Sequence, residues 1–232
     1  MSPMLIDHPS LKPLARHMQA YTTKGLRELQ AGGSKFAASE SEIYAAAVYE
    51  RVGELDNCLD SMRIAISEIV SLAKSPTPTS KPYRYHFENY LLRTTGLLDR
   101  AFRLVGITLG MPKSQIDNLQ GNTRVRNVVK DSYPEIHREL LDFQVLMVER
   151  KDARNDVAHS TAFSSRELGL FTAVEHLKYE GVDQAEVESL MSRYFSTEAS
   201  LLGLLTIQAE ARLFQLIGQL ESVILSHVNA DA

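Results

Sequence analysis

Almost every segment of this chain repeats its apolar residues with the period of an α-helix, and no segment alternates as a strand would. Residues 83–109 show this most clearly. Phe87, Leu91, Thr94, Leu98, Ala101, Val105 and Leu109 form a nearly unbroken seam, as expected of a helix packed along one side in a bundle. The pattern predicts an all-α fold, and 232 residues suffice for one large helical domain or two small ones. With 44 % hydrophobic residues, the chain can bury a sizeable core.

Boundary signals divide the pattern into elements. A first helix is expected over 10–31, opened by Ser10 with Pro13 in its first turn and closed by Gly32-Gly33. Ser39-x-x-Glu42 reads as a capping box for a long helix to about residue 74. Its apolar positions Ile43, Ala46, Ala47, Leu55, Leu59, Met62, Ile66, Ile69 and Val70 are expected on one buried face. The run 75–82 holds three prolines and reads as an extended linker. Gly110-Met111-Pro112 stops the helix that follows. A polar excursion comes next, with a short helix at 122–131, and then a helix from Pro134 through Ile136, Leu140, Phe143, Leu146 and Met147.

Ser164-x-x-Glu167 is expected to cap a short helix ended by Gly181. Asp183-x-x-Glu186 opens the last region, whose length predicts a break near 195–198. Its leucines and isoleucines cover more surface than one seam requires, and the surplus fits a homodimer interface. The expected organisation is an N-terminal helical arm (1–39), a helical bundle (40–228) and a frayed tail (229–232).

Composition sets the function classes aside or leaves them open. A net charge of −4 argues against a protein that coats nucleic acid indiscriminately, but leaves room for a local basic groove. The single cysteine, Cys58, cannot form an intrachain disulfide, which makes a reducing, cytoplasmic setting the expectation. The opening residues lack a signal-peptide pattern, and no uninterrupted apolar run approaches the length of a membrane span. No membrane partner is expected. Glu-x-x-His pairs, a zinc-ligand spacing, a Gly-rich phosphate loop and a Gly-x-Ser-x-Gly elbow do not occur. The expectation is therefore a site without metal or cofactor.

One stretch suggests chemistry: Arg154-Asn155-Asp156-Val157-Ala158-His159. Imidazole moves protons near neutral pH, and guanidinium is a planar fork suited to phosphate. Asn155 and His159 are four apart and share a helical face. Arg154 and His159 are five apart and point about 140° away from each other on a straight helix. Either the helix breaks there, as Asp152, Asn155 and Asp156 would allow, or a second copy of the motif supplies the missing partner. With 16 Arg and 7 His, chance gives about one such spacing, so spacing alone is weak. His86-x-Glu88, beside Tyr83, Tyr85 and Tyr90, reads as an aromatic edge of the bundle. His137 and His176 read as surface or boundary residues.

The hexapeptide resembles the Arg-Asn-x-x-x-His form of the motif in HEPN (higher eukaryote and prokaryote nucleotide-binding) domains. The segment Tyr85–Arg93, followed by Leu97-Leu98-Asp99, is more weakly similar to an early bundle helix of that family. The resemblance implies a HEPN-like four-helix bundle that forms homodimers. It further implies a metal-independent endoribonuclease acting in a toxin–antitoxin or antiviral defence setting, with an antitoxin or defence-complex protein as a further partner. Arg154 and His159 would be the catalytic pair at a composite site, with Asn155 orienting them. Arg150, Lys151, Arg124, Arg126 and Lys130 would hold flanking RNA phosphates; their plainer reading is a solvated face. Thr161 stands where some toxin-type members carry a tyrosine. Two other readings remain open: a non-catalytic module that binds RNA, a nucleotide or a protein, and a helical bundle used only for assembly.

Overall fold

The computed structural model describes residues 4–148, 165–177 and 181–229, and these residues are all-α, with no strand among them. Two 3-10 turns, Leu5–Asp7 and Pro9–Leu11, lead into α1 (Lys12–Gln30). Then come α2 (Glu40–Ala73), α3 (Ser80–Thr108), α4 (Lys113–Ile116), α5 (Gly121–Ser132) and α6 (Pro134–Val148). After α7 (Arg166–Leu177) the chain forms α8 (Gln184–Gln219) and α9 (Glu221–Asn229).

The boundaries follow local chemistry. At the start of α2 the Glu42 N–H donates to Ser39 Oγ (3.2 Å), and the Ser39 N–H donates to the Glu42 carboxylate (2.9 Å). That is the reciprocal capping box expected of this spacing. Lys24 adds a 2.7 Å ion pair that holds the Glu42 carboxyl below its ordinary pKa. Gly32 and Gly110 sit at φ +80° and +72°, just past the ends of α1 and α3. The N–H groups of Gly33 and Met111 turn back to the carbonyls of Glu28 and Gly106.

The chain divides into two compact units. The first comprises Met1–Asn57, Leu98–Gln144 and Ala211–Ala232. Its core gathers Leu14 of α1; Val48, Val52 and Leu55 of α2; Phe102 and Val105 of α3; Val125 and Val129 of α5; Leu140 of α6; and Leu213, Leu216 and Ile224. The first described residues are built into this core. Leu5 and Leu11 are buried, and the Asp56 carboxylate accepts from the N–H groups of Leu5 (2.9 Å) and Ile6 (3.0 Å). The segment expected to be an arm thus begins as an integral part of this unit.

The second unit comprises Cys58–Leu97 and Val145–Glu210. Tyr83 stacks on Phe195 at 4.3 Å, with Phe87 and Tyr194 around the pair and Phe171 edge-on to Tyr194. Tyr90 donates to the Leu202 carbonyl (3.0 Å) and meets the Thr206 hydroxyl (3.1 Å), so its buried oxygen is satisfied. Arg63 of α2 pairs with Glu210 of α8 at 2.9 Å.

Several expectations are corrected. The proline-rich linker is shorter than 75–82, because α3 begins at Ser80 and takes Pro82 into its first turn. A proline is tolerated there because first-turn N–H groups have no intrahelical acceptor. No break occurs near 195–198. Phe195 and Ala199 are buried on one face, α8 continues for 36 residues, and the turn comes at Leu220. The α7 cap is Ser165, whose Oγ accepts from the Leu168 N–H at 3.1 Å; Ser164 lies outside the described residues. Ser10 does not cap α1 but donates its hydroxyl to Glu221 (3.0 Å). Ile43 is 55 % exposed rather than buried. Among the described residues, the stretch Gln184–Asn229 is long and apolar enough to cross a membrane by length and composition.

Candidate functional site

The helix leading to the Arg–His motif is α6. Ile136, Leu140, Phe143 and Met147 are buried at spacings of four, three and four, the stripe of an amphipathic helix. It is described as far as Val148, and the next described residue is Ser165. Arg150, Lys151, Arg154, Asn155, His159 and Thr161 lie outside the described residues.

The other three phosphate-binding candidates belong to α5, and the fold uses two of them internally. Arg126 donates from Nη2 to Gln144 Oε1 (2.6 Å), and its guanidinium lies over the Phe102 ring, 5.6 Å from the centroid. Its Nε is buried with no partner among the described residues. This arginine ties α5 to α6 and α3. Arg124 donates to the Gln115 carbonyl (3.3 Å) and to Gln120 Oε1 (3.1 Å), closing the turn between α4 and α5. It points about 160° around the helix from Arg126. Lys130 is exposed and makes no ion pair with a described residue. The three do not form one cationic line.

The histidines separate by environment. His8 is buried, with Nδ1 accepting from the Ser10 N–H (3.1 Å) and its ring 4.1 Å from Phe214. Burial pushes its pKa below the usual value, while Glu221 and a hydrogen bond with the Phe214 backbone oppose that shift. A neutral ring with both nitrogens engaged is a structural group. His227 stacks on Tyr44 at 4.5 Å, and the Tyr44 hydroxyl donates to the Thr108 carbonyl (2.9 Å). Burial raises the pKa of that phenol well above its ordinary value, so it stays protonated near neutrality. His176 meets the Thr172 carbonyl (2.8 Å) on the exposed side of α7. Beside His86, Tyr83, Phe87 and Tyr90 are buried and Tyr85 is 66 % exposed, which makes this an aromatic edge. Among the described residues, no three His, Cys, Asp or Glu side chains converge as a metal site would require.

Concave surfaces occur within each unit. In the first, a cavity of about 530 Å³ lies between α1 and α2, lined by Met18, Tyr21, Ala46 and Tyr49, with the Glu50–Lys113 ion pair (3.2 Å) at its edge. In the second, one of about 410 Å³ lies between α7 and α8, lined by Leu170, Phe171, Leu190 and Tyr194. The lysine of the first is engaged by Glu50, while the second also has Glu167 and Arg193 on its lining. On α1, Lys12, Arg16 and Arg27 are exposed. The three recur on one helical face, a pattern visible in the sequence.

No protein-family model, curated protein or solved structure matches this chain.

Proposed function

We propose that the chain is a HEPN-type, metal-independent endoribonuclease that cleaves RNA by transesterification at a site completed by a second copy. The hexapeptide Arg154–His159 carries this reading. An all-α chain, with the motif following the amphipathic α6, agrees with it. In the proposed reaction, the ribose 2′-hydroxyl attacks the adjacent phosphorus. The O–P bond forms, the bond to the 5′-oxygen breaks, and a 2′,3′-cyclic phosphate results. His159 takes the 2′-hydroxyl proton or gives one to the leaving oxygen. Arg154 stabilises the charge that accumulates on the phosphorane, and Asn155 orients the pair.

The angular separation of Arg154 and His159 on a straight helix supports a two-copy site, in which each motif supplies what the other lacks. Leu201, Leu204 and Ile207 leave an exposed apolar face on α8 that self-association would use. Cytoplasmic location, and an antitoxin or defence-complex partner, belong to the same proposal.

The test is cleavage of a mixed RNA ladder in excess EDTA, wild type beside His159→Ala. Cleavage by wild type alone, leaving cyclic or 3′-phosphate ends, supports the nuclease. Equal cleavage by both removes His159 from the mechanism. Absence of cleavage by either favours a module that binds without cutting.

A further inference from the structure

We infer that the exposed face of α1 is a binding stripe for the phosphate backbone of single-stranded RNA, carried by Lys12, Arg16 and Arg27. The choice of RNA among polyanions rests on the nuclease reading above; the stripe itself rests on the following geometry.

Lys12, Arg16, Gln19, Thr23, Arg27 and Gln30 are all exposed. At 100° per residue they fall within about 80° of arc, so they form one line along the helix. The cations span about 23 Å of axis, with about 6 Å between the first two. Between them stand neutral side chains that donate and accept hydrogen bonds, and no carboxylate shares the line. The one acid of α1, Glu28, lies on the other side with its carboxyl against Gly33. Lys24, also off the line, is occupied by Glu42.

Two of these cations do little for the fold, while Arg27 stands in the last turn of α1, where the helix dipole favours positive charge. None of the three makes an ion pair with a described residue; Arg16 donates only to His17 Nε2 (3.0 Å). Lys12 stands in the first turn, where the helix dipole disfavours positive charge and no acid offsets it. A chain of net charge −4 has thus gathered an unpaired cationic line on one helix. Such a line meets a row of phosphates, with the arginines as forks and the glutamines and threonine reaching sugar and phosphate oxygens. The α5 candidates offer less, because Arg124 and Arg126 are held within the unit.

An anionic membrane would also attract the charges. It would need apolar anchors along the same line, and the exposed Leu26 and Leu29 flank only the last turns of α1.

The test is fluorescence anisotropy with a labelled single-stranded RNA in EDTA, between about 50 and 200 mM salt. The full-length parent carries His159→Ala, to keep the RNA intact. The stripe variant adds Lys12→Gln, Arg16→Gln and Arg27→Gln. A control removes the same charge elsewhere, through Lys74→Gln, Lys81→Gln and Lys113→Gln. The expected result is a loss of about tenfold or more at the lower salt, and a salt slope shallower by about 2, at about 0.7 per lost phosphate contact. The control keeps the parent's affinity and slope. Equal loss in both variants would reduce the effect to net charge and overturn the stripe, as would parent-like binding by the stripe variant. Binding to phosphatidylserine vesicles through these residues, without RNA binding, would also overturn it. Wild type that binds RNA through the stripe but never cuts it leaves the stripe standing and removes the nuclease. Wild type that cuts RNA while the stripe variant binds normally does the reverse.

Discussion

The carboxylate of Glu175, on α7, accepts from both the backbone N–H (2.7 Å) and the hydroxyl of Ser80, the first residue of α3. A residue 95 positions away therefore caps this helix, and Thr172 adds a hydrogen bond to the Ser80 hydroxyl (3.1 Å). Glu175→Ala should leave a first-turn N–H of α3 without its acceptor and lower stability by about 1–2 kcal/mol. Urea denaturation with an unchanged m-value and a lower midpoint is the expected outcome. An unchanged midpoint would mean that water replaces the carboxylate without cost.

Asp56 performs the same service for the start of the chain. The residue is 4 % exposed, and its carboxylate takes the N–H groups of Leu5 and Ile6. Asp56→Asn keeps one acceptor oxygen and turns the other position into a donor facing a donor. A loss of about 2–3 kcal/mol is expected. Amide exchange at Leu5 and Ile6 should accelerate more than exchange in the second unit. Equal acceleration throughout would show global rather than local loosening.

Stability should fall on mild acidification because His8 is buried in its neutral form. Its folded-state pKa lies below the ordinary 6.5, so the unfolded chain binds the proton more readily. The contribution is fully present above pH 6.5 and is lost as pH falls through the lower folded value. Glu221 works against the shift and limits its size. Denaturant midpoints between pH 7.5 and 5.5 should decline more steeply for wild type than for His8→Gln. Parallel curves would assign the acid sensitivity to other groups.

Arg154→Lys tests the proposed chemistry in a way that charge removal cannot. An ammonium keeps the charge but not the planar fork that meets two phosphoryl oxygens. RNA cleavage should fall by about 10²–10³ while oligomeric state is unchanged. Activity close to wild type would show that a point charge suffices at residue 154.

Much of the fold was legible because its determinants are local. The Ser39–Glu42 box, the glycine at 110 and the buried stripe of α6 each reside within a few residues of sequence, and the structure realises all three. The misreadings share a different cause. Ser10 looks like a cap in sequence, but its hydroxyl has a distant partner in Glu221. Pro82 looks like a barrier, yet a first turn needs no donor there. The expected break in α8 rests on length alone, whereas the burial of Phe195 and Ala199 continues the helix through it. The candidate site divides similarly. The Arg–His spacing is visible in sequence, while the capture of Arg126 by Gln144 and Phe102 depends on how α3, α5 and α6 come together.

The union of His8 with Phe214, and of Ser10 with Glu221, also has a meaning in time. The serine and its glutamate lie 211 positions apart. At about 5–20 residues per second, a ribosome needs about 10–40 s to travel between them. Throughout that interval Leu5, Leu11 and Leu14 have been made, but the C-terminal helices that complete their unit have not. Residues 5–14 must therefore wait for residues 211–229 before their unit can close.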